Sequence, residues 1–485
     1  MSALAKNSAL QIGGKLLGTV FGLITFYLLL HYFGTEGYGL LTTAMTYVAI
    51  FGVIVDFGLT LTTTQMISEQ GADEEKILGN LFTLRVITAI GFLALAPLSA
   101  IFVPGVKDVV FLVSLMTATT FFASVAQTYI GVFQKRLALS IPVLAEALNR
   151  LIALVLVIFV GTSHLGLEAA TLAFTVGGFV QLVLMLLGTA RYVRLRPRFE
   201  SRVWSEILWR SWPIGVSIFF NLLYLKGDIL FMALYGRSFI EIGQYGSAYK
   251  VVDVMTMVPV TFMGIMLPIL TLAWSSRNRE KFDHNLQNTF DVFCLLAIPF
   301  AVGAIMLGVP VMTAIKPDLI LAGQVLAVLG PAAAVVFFNS LYGHAVVAVK
   351  KQKMMTFAYL LVAVVAIAGY MLYIPLYGAW AAAWVTLVSE TLIGLCSFFV
   401  VVLAVKRWPN LKMAARAVVS TAAMAGVIAF LTSQVADGGA ANPAFAVGAV
   451  LAGVAVYALA VTVLGGPRPK TIARLFLPEK PGSSV

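Results

Sequence analysis

Fourteen apolar stretches, each long enough to cross a hydrocarbon core as a helix, leave this 485-residue chain few places to fold other than a membrane. Their approximate limits are 7–33, 38–67, 80–103, 108–133, 138–161, 166–190, 207–234, 240–272, 286–309, 318–348, 353–375, 378–404, 412–434 and 443–465. Lipid offers no partners for backbone N–H and C=O groups, so a spanning segment must be a helix or a strand of a closed barrel. A barrel needs short strands of alternating polarity, and the sequence carries no such pattern. The predicted fold is an all-α polytopic membrane protein. Composition agrees: 60% of the residues are hydrophobic and only 11% are charged, against about 25% charged in soluble domains. The first apolar stretch follows a short polar start and has no small-residue cleavage site ahead of a soluble domain. It reads as a mature span rather than a removed signal peptide.

The distribution of basic residues orients the chain. An even number of spans places both termini on one side. The termini and the connectors after even-numbered spans, taken with the opening residues of the spans that follow them (Arg210, Lys353, Lys412 and Arg416), hold 24 of the 32 Lys and Arg residues, whereas the connectors after odd-numbered spans hold only Lys107, Arg237 and Lys316. The positive-inside rule then predicts cytoplasmic termini in a cell (inner) membrane. It also explains the net charge of +11 without nucleic acid as a partner. The longest basic connector, 191–210, marks the boundary between lobes. The predicted units are 1–206, a six-span lobe with its linker; 207–405, a second six-span lobe; and 406–485, two further helices and a tail. One inner connector is acidic instead, with Glu69, Asp73, Glu74 and Glu75 against Lys76 alone.

Five cations remain inside spans: Lys15, Arg85, Arg150, Lys226 and Lys250. An ionised side chain at the bilayer centre costs about 2.5 to 3.5 kcal/mol on insertion scales, so such residues face a bundle interior or a water-filled cavity. The stretch 221–253 is the densest, setting Lys226, Asp228, Lys250 and Asp253 in two apolar segments. Five cations around one cavity make a chamber suited to an anion such as a diphosphate. Local pairing is the competing reading for two of them, because Glu146 precedes Arg150 by four residues and Asp253 follows Lys250 by three. Lys15 and Arg85 have no acid within one turn. Of the embedded acids, Asp56, Asp228, Asp253 and Glu390 serve either as ion-coupling sites, for a proton or sodium, or as counter-ions to cavity cations.

Other chemistry is poorly represented. The outer connectors are short and their acids are scattered, which argues against a membrane-bound glycosyltransferase or polymerase. No histidine has ligand spacing to a second donor, so no metal site is predicted. Cys294 and Cys396 lie within apolar runs as core thiols. No nucleotide-binding loop is present, so uphill work must draw on an ion gradient, the membrane potential or removal of product. Pro259, Gly264 and Pro268 in the eighth span could allow one half of that helix to move against the other.

Two turn motifs repeat one theme. Phe33-Gly34 and Gly37-Tyr38-Gly39 join the first two spans, with Asp56-Phe57-Gly58-Leu59 inside the second. Lys226-Gly227-Asp228, Gly243-Gln244-Tyr245-Gly246 and Leu267-Pro268 follow in the seventh and eighth. In order and spacing these resemble the polysaccharide (O-antigen type, Wzx-like) flippases of the multidrug/oligosaccharidyl-lipid/polysaccharide (MOP) exporter superfamily, over spans one to twelve. The resemblance implies two pseudo-symmetric six-helix lobes plus two helices, a central cationic cavity and alternating access. It implies export of a polyprenyl-diphosphate-linked oligosaccharide, with membrane lipids and glycan-assembly membrane proteins as partners, and no enzymatic activity or cofactor beyond a coupling ion. A cation-coupled multidrug exporter and a peptidoglycan-precursor flippase are the alternatives within the superfamily.

Overall fold

A computed structural model describes residues 3–136, 138–194, 196–435 and 442–465. Its regular elements are helices throughout the described residues. Twelve stretches are long and apolar enough to cross a membrane. The first, Gly13–Ser68, spans 56 residues and holds two crossings, because the backbone leaves helical geometry at Gly34 (φ 72°, ψ 178°). A further 34-residue helix, Ser201–Leu234, supplies the seventh crossing. Each of the fourteen predicted spans thus has its helix, and the chain is a multi-pass membrane protein. The tail after Gly465 and Asp437 lie outside the described residues.

Contacts divide the chain into two compact units, Met1–Gly243 and Gln244–Val485. The first contains α1 (Ala3–Asp56), α2 (Leu59–Ser68), α3 (Glu74–Ala100), α4 (Val110–Gln127), α5 (Ile130–Lys135), α6 (Ser140–Thr162), α7 (Leu167–Thr189) and α8 (Ser201–Leu234). Two of its crossings are broken. Phe57 (φ 31°) and Gly58 (φ 78°) stop α1 and start α2, and α4 gives way to α5 at Thr128 and Tyr129. The pieces of the second break pack with α7 around Tyr129, Phe133, Leu182 and Met185.

Sequence reading puts the boundary at 206/207, whereas the contacts put it at Gly243/Gln244. The difference is α8, and its packing gives the reason. A Cβ on Gly58 would sit 2.9 Å from the Ser211 carbonyl, and one on Gly215 would sit 2.4 Å from the Phe57 ring. Ile207 joins Leu59, Met66, Leu81 and Leu84 in one buried cluster. At the other end, Gly105 seats directly on the carbonyl of Ala233. Small residues let helix backbones approach closely in lipid, where dispersion rather than the hydrophobic effect holds helices together.

The second unit holds most of α9 (Phe239–Ser275) with α10 (Arg279–Ile315), α11 (Ile320–Ala348), α12 (Gln352–Tyr377), α13 (Ala379–Val405), α14 (Lys412–Ser433) and α15 (Pro443–Val463). Its core is aromatic: Phe262, Phe293 and Phe337 pack edge to face at 5.5 and 5.4 Å between centroids. The last two helices rest on α10, where Tyr457 donates its hydroxyl to the Leu295 carbonyl at 2.8 Å.

Candidate functional site

The break in the second crossing positions the first polar cluster. Asp56 closes α1, and Arg85 on α3 reaches it: Nη2 donates to Asp56 Oδ1 at 2.6 Å and contacts Thr60 Oγ1 at 3.0 Å. Thr60 donates to the same carboxylate oxygen. The second fork of the guanidinium closes another gap. Where α4 ends, the Thr128 amide turns to the Val125 carbonyl, and Arg85 Nη1 donates to the Ser124 carbonyl at 3.0 Å. A cation at the C-terminal ends of two helices is also favoured by their dipoles. The Arg85 side chain is wholly buried, while Asp56 remains one-third exposed. Arg85 therefore holds Asp56 from the buried side while part of the carboxylate side chain stays accessible. Its Nε–H is a buried donor without a partner among the described residues.

A second cluster lies on α1 and α6. Arg150 donates from Nη2 to Glu146 Oε1 at 2.8 Å, one turn earlier on its own helix, and from Nη1 to the Gly18 carbonyl at 3.1 Å. The pair is not sealed: its side chains are 44% and 52% exposed. Gly18 makes room for it, since a Cβ there would lie 3.0 Å from Arg150 Cδ. Lys15, one turn before Gly18, is exposed and forms no ion pair among the described residues. Adjacent helices of one unit thus present two accessible cations and one carboxylate.

The remaining embedded charges separate. Lys226 is half-buried and Asp228 fully buried on α8 in the first unit, where Asp228 Oδ1 accepts from the Ile229 amide at 2.7 Å. Lys250, half-buried, and Asp253, exposed, lie on the part of α9 that belongs to the second unit. Glu390 on α13 is 4% exposed, and Asn339 on α11 donates its amide to both the carboxylate, at 2.6 Å, and the carbonyl of Glu390, at 2.9 Å. No cation pairs with Glu390 among the described residues. No group of three or more metal-ligating side chains forms among them either. Sequence spacing singled out the charges but not Thr60, the Ser124 carbonyl, the Gly18 carbonyl or Asn339. Neutral partners carry no periodic signal, although glycine one turn from a spanning lysine is a usable hint of close helix approach.

Long apolar helices, broken at Gly34 and at Phe57–Gly58 and carrying charged groups within them, define a polytopic helical membrane fold. A family model described as "Polysaccharide biosynthesis protein" matches residues 4–274, more than half of the chain, and the protein belongs to this family. Solved structures share the fold at low identity. A lipid II flippase, MurJ, in an inward closed conformation is 16% identical with a TM-score of 0.78, covering 94% of this chain and 98% of that one. An inward-facing multidrug resistance MATE transporter of the MOP superfamily is 15% identical with a TM-score of 0.64, covering 82% and 98%. A MOP superfamily transporter from Pyrococcus furiosus is 15% identical with a TM-score of 0.57, covering 84% and 96%. A search of curated proteins finds no match.

Proposed function

We propose that the protein is a flippase that moves a polyprenyl-diphosphate-linked oligosaccharide from the cytoplasmic to the outer leaflet of the cell membrane by alternating access, in cell-surface polysaccharide synthesis. The observation that carries this reading is the exposed cationic face of α1 and α6, with Lys15 unpaired among the described residues and Arg150 accessible beside it. A diphosphate is a strong acceptor for charge-assisted hydrogen bonds from such groups. Membership in a polysaccharide biosynthesis family supports a glycan cargo. The basic connectors and both termini lie on the cytoplasmic side by the positive-inside rule. The protein performs no covalent chemistry, and glycan-assembly membrane proteins work beside it. A proton or sodium ion couples transport at Asp56 or Glu390, the first being accessible at a helix break and the second a buried carboxyl with no cation partner among the described residues.

A peptidoglycan-precursor flippase is the second reading, favoured by the fold likeness to a lipid II flippase over 94% of the chain. Both are tested in proteoliposomes holding a fluorescent polyprenyl-diphosphate glycan. Flipping by the native protein that is lost in well-folded Lys15→Ala and Arg150→Ala variants is the expected result. Extrusion of cationic dyes with no lipid flipping would replace it with a multidrug exporter. Flipping of a peptidoglycan precursor alone would select the second reading.

A further inference from the structure

The acidic and basic connectors of the first unit do not neutralise each other, and the imbalance has a location. Each acid near the connector is engaged. Glu74 binds Lys135 and Arg136 at 2.6 and 2.7 Å, Glu200 binds Lys76 at 2.6 Å, and Glu69 and Glu206 share Arg210. Asp73 caps α3 by accepting from the Lys76 amide at 2.9 Å, and Glu75 faces the Arg194 amide at 3.4 Å. Five arginines, 191, 194, 196, 198 and 202, form no ion pair among the described residues, and all but Arg198 are exposed.

The C-terminal part of this stretch is tied to α3 through its backbone. The Arg198 amide donates to the Gly79 carbonyl at 3.2 Å, and the Glu200 amide donates to Asn80 Oδ1 at 2.7 Å. Beside them the first three turns of α8 carry Trp204, Leu208, Trp209 and Trp212 on one side, and with Phe199 these line a groove of about 570 Å³. Trp209 is 75% exposed and Phe199 68%. The 34 residues of α8 extend about 51 Å, well beyond a hydrocarbon core of about 30 Å, so these turns lie at headgroup depth. Tryptophan favours that depth, and unpaired arginine there attracts anionic headgroups.

We propose that connector residues 191–194 and 196–202 and the first three turns of α8 form a docking surface for anionic phospholipid, with the phosphate among the arginines and an acyl chain along the tryptophan groove. Charge complementarity names the headgroup, and the apolar groove at the mouth of a spanning helix names a lipid over a nucleic acid or an acidic protein. The site shares no residue with the Lys15 and Arg150 cluster. Its test reads binding rather than transport, so either proposal can fail without the other.

The test reconstitutes the full chain in phosphatidylcholine nanodiscs that contain a minor fraction of acyl-brominated lipid, either phosphatidylglycerol or phosphatidylcholine. Bromine quenches nearby indoles. Subtracting the signal of a Trp209→Phe/Trp212→Phe variant isolates the groove. Quenching by brominated phosphatidylglycerol should exceed that by brominated phosphatidylcholine about twofold or more, given the attraction of clustered arginine for anionic lipid. A variant with Arg194→Gln, Arg196→Gln and Arg202→Gln should lose the preference, and the corresponding lysine variant should keep it. Equal quenching by the two lipids in the native protein would overturn the proposal, as would a preference that survives the glutamine changes. Displacement of brominated phosphatidylglycerol by a short-chain polyprenyl diphosphate at equal mole fraction would also overturn it, assigning the groove to the cargo lipid instead.

Discussion

Arg85 reaches Asp56 at 2.6 Å with one fork of its guanidinium and the Ser124 carbonyl at 3.0 Å with the other, so one buried side chain ties together two broken membrane helices. Removing it leaves Asp56 without its cation and Ser124 without its donor. Loss of one partner from a buried pair costs about 3 to 5 kcal/mol, and the one-third exposure of Asp56 places Arg85→Met near about 3 kcal/mol. Thermal unfolding in detergent should show a large drop for Arg85→Met. Asp56→Asn should lower the unfolding temperature as well: the amide oxygen can still accept from Arg85, but the wholly buried guanidinium loses its counter-ion. An Arg85→Met protein as stable as the native one would remove the staple from this account.

Gly39 and Gly243 approach backbone to backbone. A Cβ on Gly243 would lie 3.0 Å from the Gly39 amide nitrogen and 2.0 Å from the Thr35 carbonyl. Neither neighbour is a flexible side chain, so Gly243→Ala must displace a helix. Overpacking of this kind costs about 1 to 3 kcal/mol. Size-exclusion profiles and unfolding temperatures should show lower stability than for the native protein.

Gly264 is the contrasting position, because nothing lies within 4 Å of a Cβ placed there. It sits in α9 between Pro259 and Pro268. Alanine in a helix interior is favoured over glycine by about 1 kcal/mol, so Gly264→Ala should unfold at a higher temperature. If this helix bends during transport, the same variant should flip lipid more slowly. Unchanged flipping with raised stability would place the moving joint elsewhere.

The cationic face of α1 and α6 should reveal itself in transport rather than in stability. Lys15 is exposed, so Lys15→Ala should change the unfolding temperature little. A lost charge-assisted hydrogen bond is worth about 1.5 to 3 kcal/mol, which corresponds to flipping reduced about tenfold to a hundredfold. Gly18→Ala offers a graded test. Its Cβ would press Arg150 Cδ at 3.0 Å and shift the guanidinium by a few tenths of an ångström, and the expected loss is smaller than for Arg150→Ala.

Glu390→Gln keeps the shape and the contact with Asn339, because the Gln carbonyl can accept the same amide. Stability should therefore hold. If Glu390 carries the coupling ion, flipping in this variant should no longer respond to an imposed proton or sodium gradient. A full response would move the coupling site to Asp56 or another acid.

The number of crossings, the helical class and the family were legible in the chain because lipid imposes them locally. Each apolar stretch of about 20 residues must satisfy its own backbone, whatever its neighbours do. The embedded charges were legible for the same reason, as costly exceptions to that pattern. Their partners were not. Asp56 and Arg85 stand 29 residues apart, and Arg150 and the Gly18 carbonyl 132 apart, so no helical spacing connects them. The acidic connector, an apparent exception to the charge rule, makes sense once Glu69 and Glu75 are seen against Arg210 and Arg194. The membership of α8 was likewise decided by packing. Its sequence starts a second set of six spans, yet Gly58, Gly215 and Gly105 bring it against the first set. Polarity along the chain dictates what enters the membrane, but which helices touch depends on backbone proximity between residues far apart in sequence, and that exists only after the helices have packed.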